Sequence, residues 1–116
     1  MRTVLLSGVI QYLENPYIFL NKLLTYKFSY LIFDRTIVFR DNKVNDRLTV
    51  QRVSQKIYKA SYPCWIFNEK KFVDFFNDKY KLAVDFIAHE GTTVDLKDVQ
   101  AIYKGYLFEI NRKLKI

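Results

Sequence analysis

At 116 residues, half of them hydrophobic and 27% charged, with only three Gly and two Pro, the chain has the composition of one globular unit and not of a disordered or low-complexity segment. One cysteine, Cys64, excludes a disulfide scaffold, and with a single histidine, His89, it supplies no metal-ligand spacing. The excess of 19 Lys and Arg over 12 Asp and Glu gives a net charge of +7, but these residues are spread from Lys22 to Lys104 and cluster only at Arg112-Lys113-Leu114-Lys115. A lysine-rich composition accounts for the charge better than a nucleic-acid interface does.

The apolar run at residues 4–7 is long enough for a buried strand and too short for a helix. Arg2 precedes it, yet Ser7 and Gly8 break the run and no small-residue cleavage pattern follows, so it does not read as an export signal. A single helical turn is expected at residues 9–13. Asn15-Pro16 then reads as a helix start, because Asn accepts from first-turn amides and proline has no amide to satisfy. Tyr17, Leu20, Leu23 and Leu24 recur at helical spacing as its buried side. Residues 30–33 form a continuous apolar run that ends at Asp34, the pattern of a strand covered on both faces. Strand, helix and strand within about 30 residues predict a right-handed crossover and a parallel pair.

Residues 35–66 are less regular, with a strand expected at 48–53 and aromatics at Tyr58, Tyr62 and Trp65. Asn68 is expected to cap a helix whose inner side is Phe72, Phe75 and Phe76. A strand over 81–88, supported by alternation of Tyr80, Leu82, Val84, Phe86 and Ala88, should pair antiparallel with one over 99–108 across a loop at 89–97. No run approaches the roughly 18 apolar residues of a bilayer span, so a soluble, cytoplasmic protein is expected.

Strand, helix, strand, helix and a closing antiparallel pair is also how class I methyltransferases finish their sheet. The wording is more specific: Leu6-Ser7-Gly8-Val9-Ile10-Gln11-Tyr12-Leu13-Glu14-Asn15-Pro16-Tyr17 resembles the segment after the fourth strand of such enzymes. Asp34-Arg35-Thr36, Asp46-Arg47-Leu48-Thr49-Val50-Gln51, Ser61-Tyr62-Pro63-Cys64-Trp65 and His89-Glu90-Gly91-Thr92-Thr93-Val94-Asp95 resemble one bacterial S-adenosylmethionine-dependent methyltransferase family, often associated with surface-polysaccharide gene clusters. The resemblance spans nearly the whole chain. It implies an α/β fold: a Rossmann-like half-domain over residues 1–116, holding strands four to seven, with a mostly parallel sheet that ends in an antiparallel hairpin and is flanked by helices. It also implies methyl transfer to a small-molecule acceptor such as a sugar or surface-glycan precursor. The glycine-rich turn after a first strand and the acidic ribose-binding residue after a second find no match here, where the glycines are Gly8, Gly91 and Gly105. S-adenosylmethionine binding is therefore expected to be weak or absent in this chain alone, and activity to need a complementing N-terminal half.

Ligands of a parallel sheet bind beyond the carboxyl ends of its strands. By resemblance, Ser7, Gly8 and Gln11 line the methionine side of the cofactor, although Gly8 reads equally as a plain strand terminator. Methyl transfer gains most from alignment and needs a base only for a protonated hydroxyl or amine. His89, with Glu90 beside it, and Asp34 at a strand end are the candidate bases; an exposed histidine and a backbone-capping carboxylate are the structural alternatives. Tyr58, Tyr62, Trp65 and Glu90 are the candidate acceptor-binding residues, with core filling as the competing use of the aromatics. Cys64, between Pro63 and Trp65, reads as buried rather than nucleophilic. The competing functional reading is a non-catalytic module that pairs with itself or with another chain, because a strand suited to a sheet centre exposes unpaired backbone when it lies at an edge.

Overall fold

The computed structural model describes residues 2–52, 61–88, 93–96 and 98–111. Strand β1 (Thr3–Ser7) is followed by a 3-10 turn at Ile10–Tyr12 and helix α1 (Pro16–Leu24); β2 (Tyr30–Phe39), β3 (Arg47–Arg52) and β4 (Ser61–Asn68) lead to helix α2 (Glu69–Asp74), and β5 (Tyr80–Ile87), β6 (Thr93–Asp95) and β7 (Gln100–Ile110) complete the order. The strands form one sheet in the order β3-β4-β2-β7-β5, with β1 beside β2 and β6 beside β7.

The expected mostly parallel, Rossmann-like α/β arrangement is not what forms. Parallel pairing is confined to β1 with β2 and to the last residues of β4 with β2, whereas β2/β7, β3/β4, β5/β7 and β6/β7 are antiparallel. A parallel pair needs a crossover of a dozen or more residues, and the short links from β5 through β6 to β7 return the chain antiparallel; β7 then adds to β2 in the opposite direction after a long connection. Nor do helices flank the sheet. Leu20, Leu23 and Leu24 of α1 and Phe72 of α2 with the following Phe76 enter a single core with Leu31, Phe33, Tyr106 and Phe108. Cross-strand partners share a face, and the register Leu31↔Phe108 and Phe33↔Tyr106 puts all of this on one side of the sheet. Ring contacts tie it together, with Phe33 edge-on to Phe72 at 5.4 Å and Phe76 at 4.3 Å from Phe108.

Several local expectations hold. The α1 helix starts at Pro16 and buries Leu20, Leu23 and Leu24, although the Asn15 side chain makes no cap bond. The Asn68 side chain caps α2, accepting from the Lys71 amide at 2.9 Å. Others shift. The second strand does not stop at Asp34 but continues to Phe39 through a register shift between Phe33 and Thr36. In β5 a second shift between Leu82 and Val84 breaks the expected alternation. Val84 and Phe86 consequently face the side of the sheet opposite the helices, where the Phe86 ring lies across Gly105; a Cβ at that glycine would run into the ring. A glycine in a strand interior marks this kind of close approach.

Candidate functional site

The site is assembled where the carboxyl end of β1 meets the middle of β2. Parallel pairing sets Ser7 opposite Asp34, and the Gly8 amide donates to the Asp34 carbonyl at 2.9 Å. Beyond that bond β1 ends, because Gly8 turns the chain at φ +62, a left-handed conformation that glycine adopts without steric cost. The space where its Cβ would lie has no atom within 4 Å, so the backbone here is open to an approaching ligand. Across from it, β2 bulges. Arg35 holds φ +52, which is strained for a residue with a side chain; bulges of this kind re-aim side chains next to functional sites.

Four polar contacts hold the bulge. Ser7 Oγ donates to Asp34 Oδ2 at 3.3 Å and accepts from Arg35 Nε and Nη2, each at 3.3 Å. Gln11, delivered by the 3-10 turn and buried, donates Nε2 to the Arg35 carbonyl at 2.9 Å. Among the described residues its Oε1 has no hydrogen-bond partner, nor does the Oγ1 of the buried Thr36 next along β2. Buried oxygens left without a partner are uncommon and call for an explanation. The sequence-derived residues Ser7, Gly8, Gln11 and Asp34 are thus brought together.

Behind the bulge, on the helix side, lies a charged group that the sequence reading did not single out. Lys104, only 5% exposed, sits opposite Thr36 and donates to Glu69 Oε2 at 2.6 Å and Asp85 Oδ2 at 2.7 Å. The Tyr106 hydroxyl donates to the same Glu69 oxygen at 2.8 Å. Burial favours the neutral amine of Lys104, but its hydrogen bonds to Asp85 and Glu69 outweigh this and raise its pKa. The Asp85 carboxyl is held below its usual range by the Lys104 hydrogen bond, and burial, reinforced by Glu69, pushes the Tyr106 phenol far up. A signal for this cluster was present in the sequence: Lys104 interrupts the inward alternation Ile102, Tyr106, Phe108 of the last strand.

Trp65 does not join Ser7, Gly8, Gln11 and Asp34. It packs at the margin of the main core and lines a different cavity, at the start of α1. Cys64 is fully buried and its thiol is pushed up to about 11 by burial, which fits a packing role. His89, Glu90 and Tyr58 lie outside the described residues, and Tyr62 is placed in β4 by its backbone alone. Among the described residues no group of three or more His, Cys, Asp or Glu is placed to hold a metal ion, and no helix is long and apolar enough to cross a membrane.

No family profile, no curated protein and no solved structure matches the chain.

Proposed function

We propose that the carboxyl end of β1, with the β2 bulge beside it, binds the methionine portion of S-adenosylmethionine and that the chain takes part in methyl transfer to a small-molecule acceptor. The observation carrying this reading is the convergence of Ser7, Gly8, Gln11 and Asp34 on one open, glycine-ended pair of strands. The residues fit such a zwitterion with a sulfonium: Asp34 offers an anion, Arg35 a cation, and Gln11 Oε1 an acceptor without a partner among the described residues. When bound, the cofactor supplies a methyl group on a positively charged sulfur. The chain's own contribution is alignment, worth much of the barrier in such displacements, and a carboxylate at Asp34 to receive the acceptor's proton. This reading uses only the local β1–α1–β2 geometry and leaves the adenosine contacts to another chain segment. In amide-resolved NMR, millimolar S-adenosylmethionine should shift Gly8, Gln11, Asp34 and Arg35; shifts confined to other residues, or none, would overturn the reading.

A second reading, the self-associating module, is favoured by a separate observation. The sheet face opposite the helices carries Leu5 at 61% exposure and Val84 at 51%, with Phe86 beside them. A sedimentation series showing a concentration-dependent dimer that Leu5→Lys with Val84→Lys abolishes would support it.

A further inference from the structure

We infer that the cavity at the N-terminal end of α1 is a receptor for an organic cation, an alkylammonium head, and that Lys71 holds its place in the unliganded protein. The juxtaposition that points to this is an ammonium already seated there: Lys71 Nζ lies 4.9 Å from the centre of the Tyr17 ring and 3.0 Å from Asp46 Oδ2.

The cavity measures about 260 Å³, suited to a head group rather than a drug-sized molecule, and its walls combine Tyr17 and Trp65 with the carboxylates of Asp46 and Glu14. Aromatic faces attract cations through their negative π surface, most strongly on tryptophan and when water is excluded. The receptor groups are fixed. Tyr17 is wedged edge-on to Phe67 at 5.9 Å and against Phe75 at 5.1 Å. Asp46 is only 11% exposed along its side chain, and its other oxygen accepts from the Asn68 amide at 2.7 Å. Lys71, by contrast, is 60% exposed. Its flexible side chain can therefore swing into water and leave the nearly buried Asp46 carboxylate and the Tyr17 ring to an incoming cation, which takes over the charge that Lys71 compensates. An anion fits less well. The positive end of α1 and Lys71 face two carboxylates, and a helix end carries only about half a charge. Burial first, and the Asp46 charge second, hold the Tyr17 phenol in its neutral form, which adds no further anion.

This inference is independent of the methyl-transfer reading, which concerns Ser7 and Asp34. Trp65 is the chain's only tryptophan, so its fluorescence reports on the cavity alone. The full chain would be titrated with choline, with Nα-acetyl-lysine amide, and with 3,3-dimethylbutanol, a neutral analogue of choline. A saturable Trp65 response to the cations and none to the alcohol is expected. Lys71→Ala, which removes the competing ammonium, should tighten choline by about threefold or more, and Glu14→Gln, at an exposed position that leaves the fold intact, should weaken it by about threefold. A tighter fit for the lysine amide than for choline assigns the cation to a protein side chain, and the reverse order to a free small molecule. An equal response to the neutral alcohol, no saturation in both wild type and Lys71→Ala, or weaker binding in Lys71→Ala would overturn the inference.

Discussion

The two halves of β2 are one strand under different cover. In the first half, Leu31 and Phe33 point into the aromatic core while Tyr30 and Ile32 between them are only partly covered; in the second half Thr36, Ile37, Val38 and Phe39 are all buried. The difference is made by neighbours. Val38 shares the helix-side core, whereas Ile37 and Phe39 meet Cys64, Ile66 and Ala101 in a smaller core on the opposite face. The first half has β1 and β7 beside it, and among the described residues no second core forms over Leu5, Ile32 and Leu107, which occupy the same side of the sheet. A run of apolar residues therefore reports that a strand forms, while the layer stacked on each face is set by parts of the chain far away in sequence.

Substitutions can break this comparison. Phe33→Ala removes a ring packed among Phe72, Phe76 and Phe108 and should cost about 3–5 kcal/mol in denaturant unfolding. Ile37→Ala should cost about 2–5 kcal/mol, yet Ile32→Ala, on the less covered face, no more than about 1.5 kcal/mol. Equal losses at Ile32 and Ile37 would show that the first half is covered in solution.

Lys104 stands at the junction between the halves, opposite Thr36. Lys104→Ala leaves Glu69 and Asp85 without their cation, and since Asp85 is half exposed the loss should fall near the lower end of the roughly 3–5 kcal/mol seen for broken buried pairs. Lys104→Met, which refills the volume, should lose less. The same cluster gives a pH dependence. The folded Asp85 pKa is depressed by Lys104, so its contribution is complete above the unfolded carboxylate value of about 3.9 and is lost as pH falls through the lower folded value. The folded Lys104 pKa is raised, so its contribution is complete below about 10.4 and is lost as pH rises through the higher folded value. Urea midpoints measured against pH should show both limbs flattened in Asp85→Asn.

The smallest effects belong to the bulge itself. Gly8→Ala meets no atom but must hold a positive φ, a cost of about 1 kcal/mol. Arg35→Gly relieves that same strain and loses two long contacts to Ser7, leaving stability within about 0.5 kcal/mol of wild type. Such a variant separates binding from folding: it should weaken any ligand response at Gly8 and Gln11 without moving the unfolding midpoint.

Local features were legible in the sequence where a few adjacent residues decide them. Pro16 starts a helix because it needs no amide partner, Asn68 caps one because its oxygen reaches the Lys71 amide, and Gly8 ends a strand because it alone takes the left-handed turn cheaply. Ser7, Gly8, Gln11 and Asp34 could be grouped in advance because strand, helix and strand lay the end of β1 beside Asp34 over a short stretch of chain. The conformation of Arg35 was beyond that reach, and Lys104 was marked only as a break in an apolar alternation, without its partners Glu69 and Asp85. A bulge inserts residues into one strand against its partner, and the partner, β7, comes some 70 residues later. Which face each strand turns to the helices, and that both helices choose the same face, depends on register and on burial summed over the whole sheet. The same holds for the balance of parallel and antiparallel pairing. The sequence determined elements, caps and a candidate site; tertiary structure alone decided that the sheet is mixed and covered by helices on one side, because long-range pairing, unlike capping and periodicity, is settled by neighbours that no local stretch of residues names.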